Sequence, residues 1–78
     1  MRVDGEYYEV KRPRNSTINA ISQNIRKASH QAPNVIIILS HLMDRQELER
    51  IAKGRFKTEP NLRKIMFYYQ GEFIEFKK

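Results

Sequence analysis

The sequence predicts a small α+β domain: a mixed β-sheet with helices packed against it. Three observations predict it. Two short runs of alternating residues stand at the ends of the chain, each broken by a turn that tolerates positive φ. Two stretches with helical spacing lie between them. A continuous apolar run, 34-NVIIILS-40, separates those two stretches and suits a central strand covered on both faces. The predicted order is hairpin, helix, strand, helix, hairpin.

The first hairpin is read over residues 1–12, with Asp4-Gly5 as its turn. Its second strand alternates, with Tyr7, Glu9 and Lys11 on one face and Glu6, Tyr8 and Val10 on the other. Pro13 ends it. Residues 16–32 read as a helix capped by Asn15 or Ser16. Ile18, Ile21, Ile25, Ala28 and Ala32 form its apolar stripe; Asn19, Gln23, Arg26, Lys27 and His30 form the opposite face. Pro33 stops it. Asp44 opens the second helix with a D-x-x-E cap, Leu48, Ile51 and Ala52 give its apolar side, and Gly54 is the natural end. Residues 55–63 read as basic and irregular. The last hairpin, 64-KIMFYYQGEFIEFKK-78, turns at Gln70-Gly71, with Phe67, Tyr68, Tyr69, Phe73 and Phe76 as core and cross-strand pairs.

Seventy-eight residues suffice for one domain, and residues 1–78 are read as one. The absence of cysteine removes disulfides and thiolate metal sites from consideration. No signal peptide is expected, since no charge-led apolar stretch is read at residues 1–20, and 35-VIIIL-39 is too short to span a membrane. The formal charge of +6 favours a polyanionic partner, nucleic acid first.

One stretch, 6-EYYEVKRPRN-15, invites a chemical reading. Phosphodiester hydrolysis needs carboxylates to hold a hard metal ion, and a cation to offset charge building on phosphorus. Glu9 and Lys11 on one strand face supply one of each, and the Val10 carbonyl between them is a further oxygen. Asp4 is the nearest second acid, but its turn position points it elsewhere. Val10 is expected to face the core, and Arg12 and Arg14 to hold phosphates at the strand exit. Gln23, Lys27 and His30 form a polar stripe on the helix that follows. The bland alternative is a surface ion pair worth little. His30 reads as solvent-exposed and Tyr8 as packing; His41 follows the buried strand, at the end where α/β sheets place ligands, and a histidine pair with no third ligand is a poor zinc site.

The hairpin 3-VDGEYYEVKRP-13 and the following 15-NSTINAISQNIRKASHQAPNVIIILS-40 resemble the C-terminal nuclease domain of CdiA-type contact-dependent growth inhibition toxins. That family is similar in fold to the PD-(D/E)XK nucleases. The resemblance implies that Glu9 is a metal ligand, Lys11 the catalytic lysine, and Gln23 or Gln31 a helix glutamine. It implies a divalent metal (Mg2+, with Mn2+ or Zn2+ as alternatives), nucleic acid as substrate, tRNA or DNA, and action in the cytoplasm. It also implies an immunity protein as partner. The family pattern places an Asp upstream of the E-x-K, and here the chain begins at Met1, so an N-terminally shortened relative is expected. The alternatives are a non-catalytic nucleic-acid-binding module on the same fold and a metal-independent barnase/RelE-like RNase. A monomer or an edge-paired dimer is expected.

Overall fold

The computed structural model describes residues 2–78; Met1, included in the expected first hairpin, lies outside the described residues. Five strands and two helices follow the predicted order. They are β1 (Arg2–Val3), β2 (Glu6–Lys11), α1 (Ile18–Ser29), β3 (Asn34–Ile38), α2 (Arg45–Thr58), β4 (Lys64–Tyr69) and β5 (Glu72–Lys77). The sheet order is β1-β2-β3-β4-β5. The two outer pairings are antiparallel hairpins, and β2, β3 and β4 run parallel.

Both hairpin turns form where the sequence places them. Asp4 and Gly5 have φ of 51° and 82°, and Gln70 and Gly71 have 46° and 84°. Two successive positive φ values match the right-handed twist of the flanking strands. The parallel pairs need crossovers, which α1 and α2 provide.

Both helices lie on one face of the sheet. Ile21, Ile25 and Ala28 of α1 and Leu48, Ile51 and Ala52 of α2 pack onto Val35, Ile37, Ile65 and Phe67. Register explains the choice of strand residues: Val35 pairs with Ile65 and Ile37 with Phe67, so all four project to the same side. Phe67 meets Phe76 edge to face at 6.0 Å, and Tyr68 meets Phe73 at 4.9 Å.

Strand β3 is central and, as expected, buried on both faces from Asn34 to Ile37, although both helices lie on one of them. Several other expectations are corrected. The cap of α1 is Thr17, whose Oγ1 accepts from the Ala20 N–H at 3.2 Å. Ser16 is buried instead, tied to Ser40, so its hydroxyl is not free to cap. Asp44 is the N-cap of α2, yet its side chain makes no cap hydrogen bond. Helix α2 runs through Gly54 to Thr58, so residues 55–58 are helical rather than irregular. Arg55 donates to Ser22 Oγ of α1 at 2.7 Å and Phe56 packs against the core, contacts that offset the roughly 1 kcal/mol helix penalty of one glycine.

Candidate functional site

Alternation along β2 puts Glu9 and Lys11 on the helix-covered side, as their register partners Val35 and Ile37 show. Lys11 Nζ lies 3.4 Å from Glu9 Oε2, and the two side chains are only 27% and 26% exposed. The Glu49–Lys53 pair of α2, with 47% and 73% exposure, is the ordinary solvated case. Glu9–Lys11 is less exposed than that pair, half-sheltered beside the helix layer, while Arg55–Glu59 is more sheltered still at 23% and 12%. Strand β1 pairs with β2 at Glu6 and Tyr7, and among the described residues the outer edge of β2 has no strand partner from Glu9 to Lys11. Val10 does not face the core as expected. It projects to the bare side of the sheet and is 37% exposed, because that side has no helices to bury it. Past Lys11, Arg12 and Arg14 are exposed on either side of the buried Pro13.

The expected second acid is not brought to this pair. Asp4 lines a recess on the bare face with Glu6, Tyr8 and Lys64, whereas Glu9 projects to the opposite face. Among the described residues no three His, Asp or Glu side chains come together as a metal cluster. A tetrahedral zinc site, which draws on three or four side chains, does not fit this donor set. Glu9 offers one carboxylate here, and the Lys11 ammonium already pairs with it.

Helix α1 carries the polar stripe as read. Gln23, Arg26, Lys27 and His30 line one groove along the helix. Gln31 stands apart in the turn beyond it, with its N–H bonded to the Ala28 carbonyl at 2.9 Å. His30 is exposed as expected, its side chain 67% accessible, with Nε2 3.6 Å from Glu59 Oε1.

Nothing in the sequence singles out Glu59. Its carboxylate accepts from Ser29 Oγ at 3.3 Å and from Thr58 Oγ1 at 3.0 Å, and pairs with Arg55 at 3.5 Å. Burial pushes its carboxyl up, but the hydrogen bonds from Thr58 and Ser29 and the charges of Arg55 and His30 outweigh burial and hold it below 4.5. Two further clusters join residues remote in sequence. Ser16 Oγ accepts from the Ser40 N–H at 2.7 Å and lies 2.9 Å from Ser40 Oγ, with His41 Nδ1 3.4 Å beyond. On the bare face, Lys64 contacts Tyr8, Glu6 and Glu75. No local pattern signals contacts across such separations.

The architecture defines a small α+β domain with helices on one face only and a sheltered Glu–Lys pair on the strand that feeds the first crossover. The contact-dependent growth inhibition CdiA C-terminal domain family matches residues 1–73, and the chain belongs to it. It is thus a growth-inhibition toxin domain of bacteria, of a class that typically pairs with immunity proteins. No curated protein and no solved structure matches the chain. No helix of the described residues is long and apolar enough to cross a membrane.

Proposed function

We propose that this toxin domain acts on nucleic acid in the cytoplasm of its target, cleaving phosphodiester bonds at Glu9 and Lys11. The observation that carries the reading is the half-sheltered Glu9–Lys11 pair, 3.4 Å apart, on a strand whose exit is basic. A strand carrying E-x-K, then a helix, then a parallel neighbouring strand is the order β2, α1, β3, which supports kinship with the PD-(D/E)XK nucleases.

Each residue has a role that its chemistry supports. The Lys11 ammonium offsets the charge that grows on the phosphoryl oxygens, an effect strengthened by exclusion of water. Glu9 would hold a divalent cation such as Mg2+, which when bound supplies Lewis-acid polarisation and a water of lowered pKa. Glu9 already has an ammonium beside it, so its carboxylate must be shared or released when a cation enters. Arg12 and Arg14 bind phosphates flanking the cut. Gln23, Lys27 and His30, joined by Arg26, form a second row of donors for the backbone on α1.

A second reading is a nucleic-acid-binding module without turnover. The placement of Asp4 on the face opposite Glu9 favours it, because that leaves one carboxylate where the nuclease pattern uses two.

The purified domain is incubated with total tRNA and with plasmid DNA, in Mg2+, Mn2+ or Zn2+ and in EDTA. A nuclease of this kind cuts one substrate, and only with metal. Cutting that survives EDTA would transfer the reading to a barnase-like RNase, and binding without cutting would leave the non-catalytic module.

A further inference from the structure

His41 stands past the end of β3, at the carboxyl end of the parallel strands. Ligands of open α/β sheets gather outside this end. The cleavage chemistry above makes no use of it. The loop that carries His41 is pinned. Ser16, in the segment joining β2 to α1, accepts the Ser40 N–H at 2.7 Å and lies 2.9 Å from Ser40 Oγ. Two stretches remote in sequence are thereby held side by side: 12–16, with Arg12 and Arg14, and 39–41, with His41. Register agrees, because Lys11 pairs with Ile37 and the chain leaves β2 and β3 at the same end of the sheet.

The order of hydrogen bonds in this cluster fixes the imidazole. Ser16 is 3% exposed. Its oxygen already accepts a backbone N–H, so its hydroxyl proton needs an acceptor inside the protein. Among the described residues that acceptor is Ser40 Oγ. The Ser40 hydroxyl then has its own proton to donate, and His41 Nδ1 receives it at 3.4 Å. With Nδ1 as acceptor, the ring proton sits on Nε2. The reverse order would strand the proton of a buried hydroxyl. His41 is exposed, so its Nε2–H is a donor held in one orientation and open to a ligand.

The cations beside it have no partner within the chain. Lys11, Lys53, Arg55, Lys64 and Lys77 each have a carboxylate. The side chains of Arg12 and Arg14 take part in no ion pair, hydrogen bond or ring contact among the described residues. Asp44, three residues beyond His41, forms no ion pair and no cap bond. Arg45 lies over the Phe76 ring at 5.5 Å. Glu47 lines the cleft between the helices with Ile18 and Ser22. Two guanidinium groups thus face one carboxylate, and the patch is positive.

We infer that His41, with Arg12 and Arg14, anchors a nucleic-acid phosphate a few nucleotides from the bond that Lys11 addresses. The inference rests on the nucleic-acid reading and adds a second point of contact to it. Guanidinium groups give charge-assisted bonds to phosphate oxygens, and a fixed imidazole N–H adds a directional one. Ser40 lies three residues past Ile37, which at ~3.3 Å per residue is roughly 10 Å beyond Lys11. One strand of a duplex carries a phosphate about every 3.4 Å along its axis, so the anchor falls about three nucleotides from the cut.

Two measurements on the full chain test this, with circular dichroism to check that each variant folds. Long-range 1H–15N spectra report which ring nitrogen of His41 bears the proton. Fluorescence anisotropy in EDTA follows binding of labelled oligonucleotides across a salt series at pH 8.5, where an ordinary imidazole carries no charge. The wild type should show Nε2–H, and Ser40→Ala should raise the Nδ1–H form. His41→Ala should weaken binding about 3- to 10-fold, the scale of one hydrogen bond, with unchanged salt dependence. Arg14→Gln should weaken it and also lower the slope of log K against log salt by about 0.7–0.9, one phosphate contact. Leu42→Ser, 70% exposed beside His41, should bind as the wild type does. Undiminished binding by His41→Ala overturns the inference, as does a wild-type ring proton on Nδ1. Binding that needs His41 and Arg14 in a domain whose cutting survives Lys11→Ala, or that does not cut, leaves the anchor standing while the Glu9–Lys11 reading falls. Cutting lost in Lys11→Ala beside intact binding by His41→Ala does the reverse. A chain that binds no oligonucleotide overturns both.

Discussion

Lys64 reaches across the central strand to Tyr8. Its Nζ donates to the Tyr8 hydroxyl at 2.8 Å, and the two residues stand in one row of the sheet, each in register with Asn34 of β3. The same ammonium contacts Glu6 and lies 5.3 Å from the centre of the Tyr8 ring. A bond between β2 and β4 thus locks the parallel core on its bare side, where no helix does so.

Removing the hydroxyl should be felt in stability. Tyr8→Phe should cost about 1 kcal/mol, which lowers Tm by about 4–8 °C for a domain of this size. The hydrogen bond to Tyr8 raises the Lys64 pKa above its ordinary 10.5, against the opposing effect of burial and with help from Glu6. The folded state then holds this proton more tightly than the unfolded chain, so the contribution is complete below pH 10.5 and is lost as pH rises through the folded value. Thermal melts at rising alkaline pH should show Tm falling more steeply for the wild type than for Lys64→Met.

Glu59 has the opposite sign. Its folded carboxyl titrates below 4.5, so its contribution is present above that pH and is lost as pH falls through the folded value. Glu59→Gln should lower Tm at neutral pH, by a margin equivalent to about 1–3 kcal/mol for hydrogen bonds to a charged group. The difference between variant and wild type should shrink in acid. An unchanged difference from neutral pH into acid would contradict this.

Two glycines should respond in opposite directions. Gly71 has φ of 84°, and Gly71→Ala should destabilise by about 1–2 kcal/mol. Gly54 lies inside α2, and a methyl group added there would meet nothing within 4 Å, so Gly54→Ala should stabilise by about 0.5–1 kcal/mol. Urea unfolding of both variants measures the pair.

Gly54 also marks the limit of what local sequence encodes. Element order is legible because it rests on local signals: two positive-φ turns, apolar residues at helical spacing, Pro13 and Pro33 as stops. The end of α2 is not, because Arg55–Ser22 and Phe56 in the core decide it, and both contacts come from tertiary packing. Strand alternation places Glu9 and Lys11 on one face. It does not say which face the helices cover, so alternation alone sends Val10 to the core and hides the shelter of the pair. The Tyr8–Lys64 and Ser16–Ser40 contacts join residues 56 and 24 positions apart, and nothing local encodes either.

Whether Glu9 and Lys11 form a working site is decided by kinetics. Rates of tRNA and plasmid cleavage in Mg2+ are compared for the wild type, Lys11→Ala and Glu9→Gln, with Lys53→Ala of the solvated α2 pair as control. Both site variants should lose cleavage by about 100-fold or more while remaining folded, and Lys53→Ala should keep it. Cleavage undiminished in Lys11→Ala and Glu9→Gln would contradict a catalytic role for the pair.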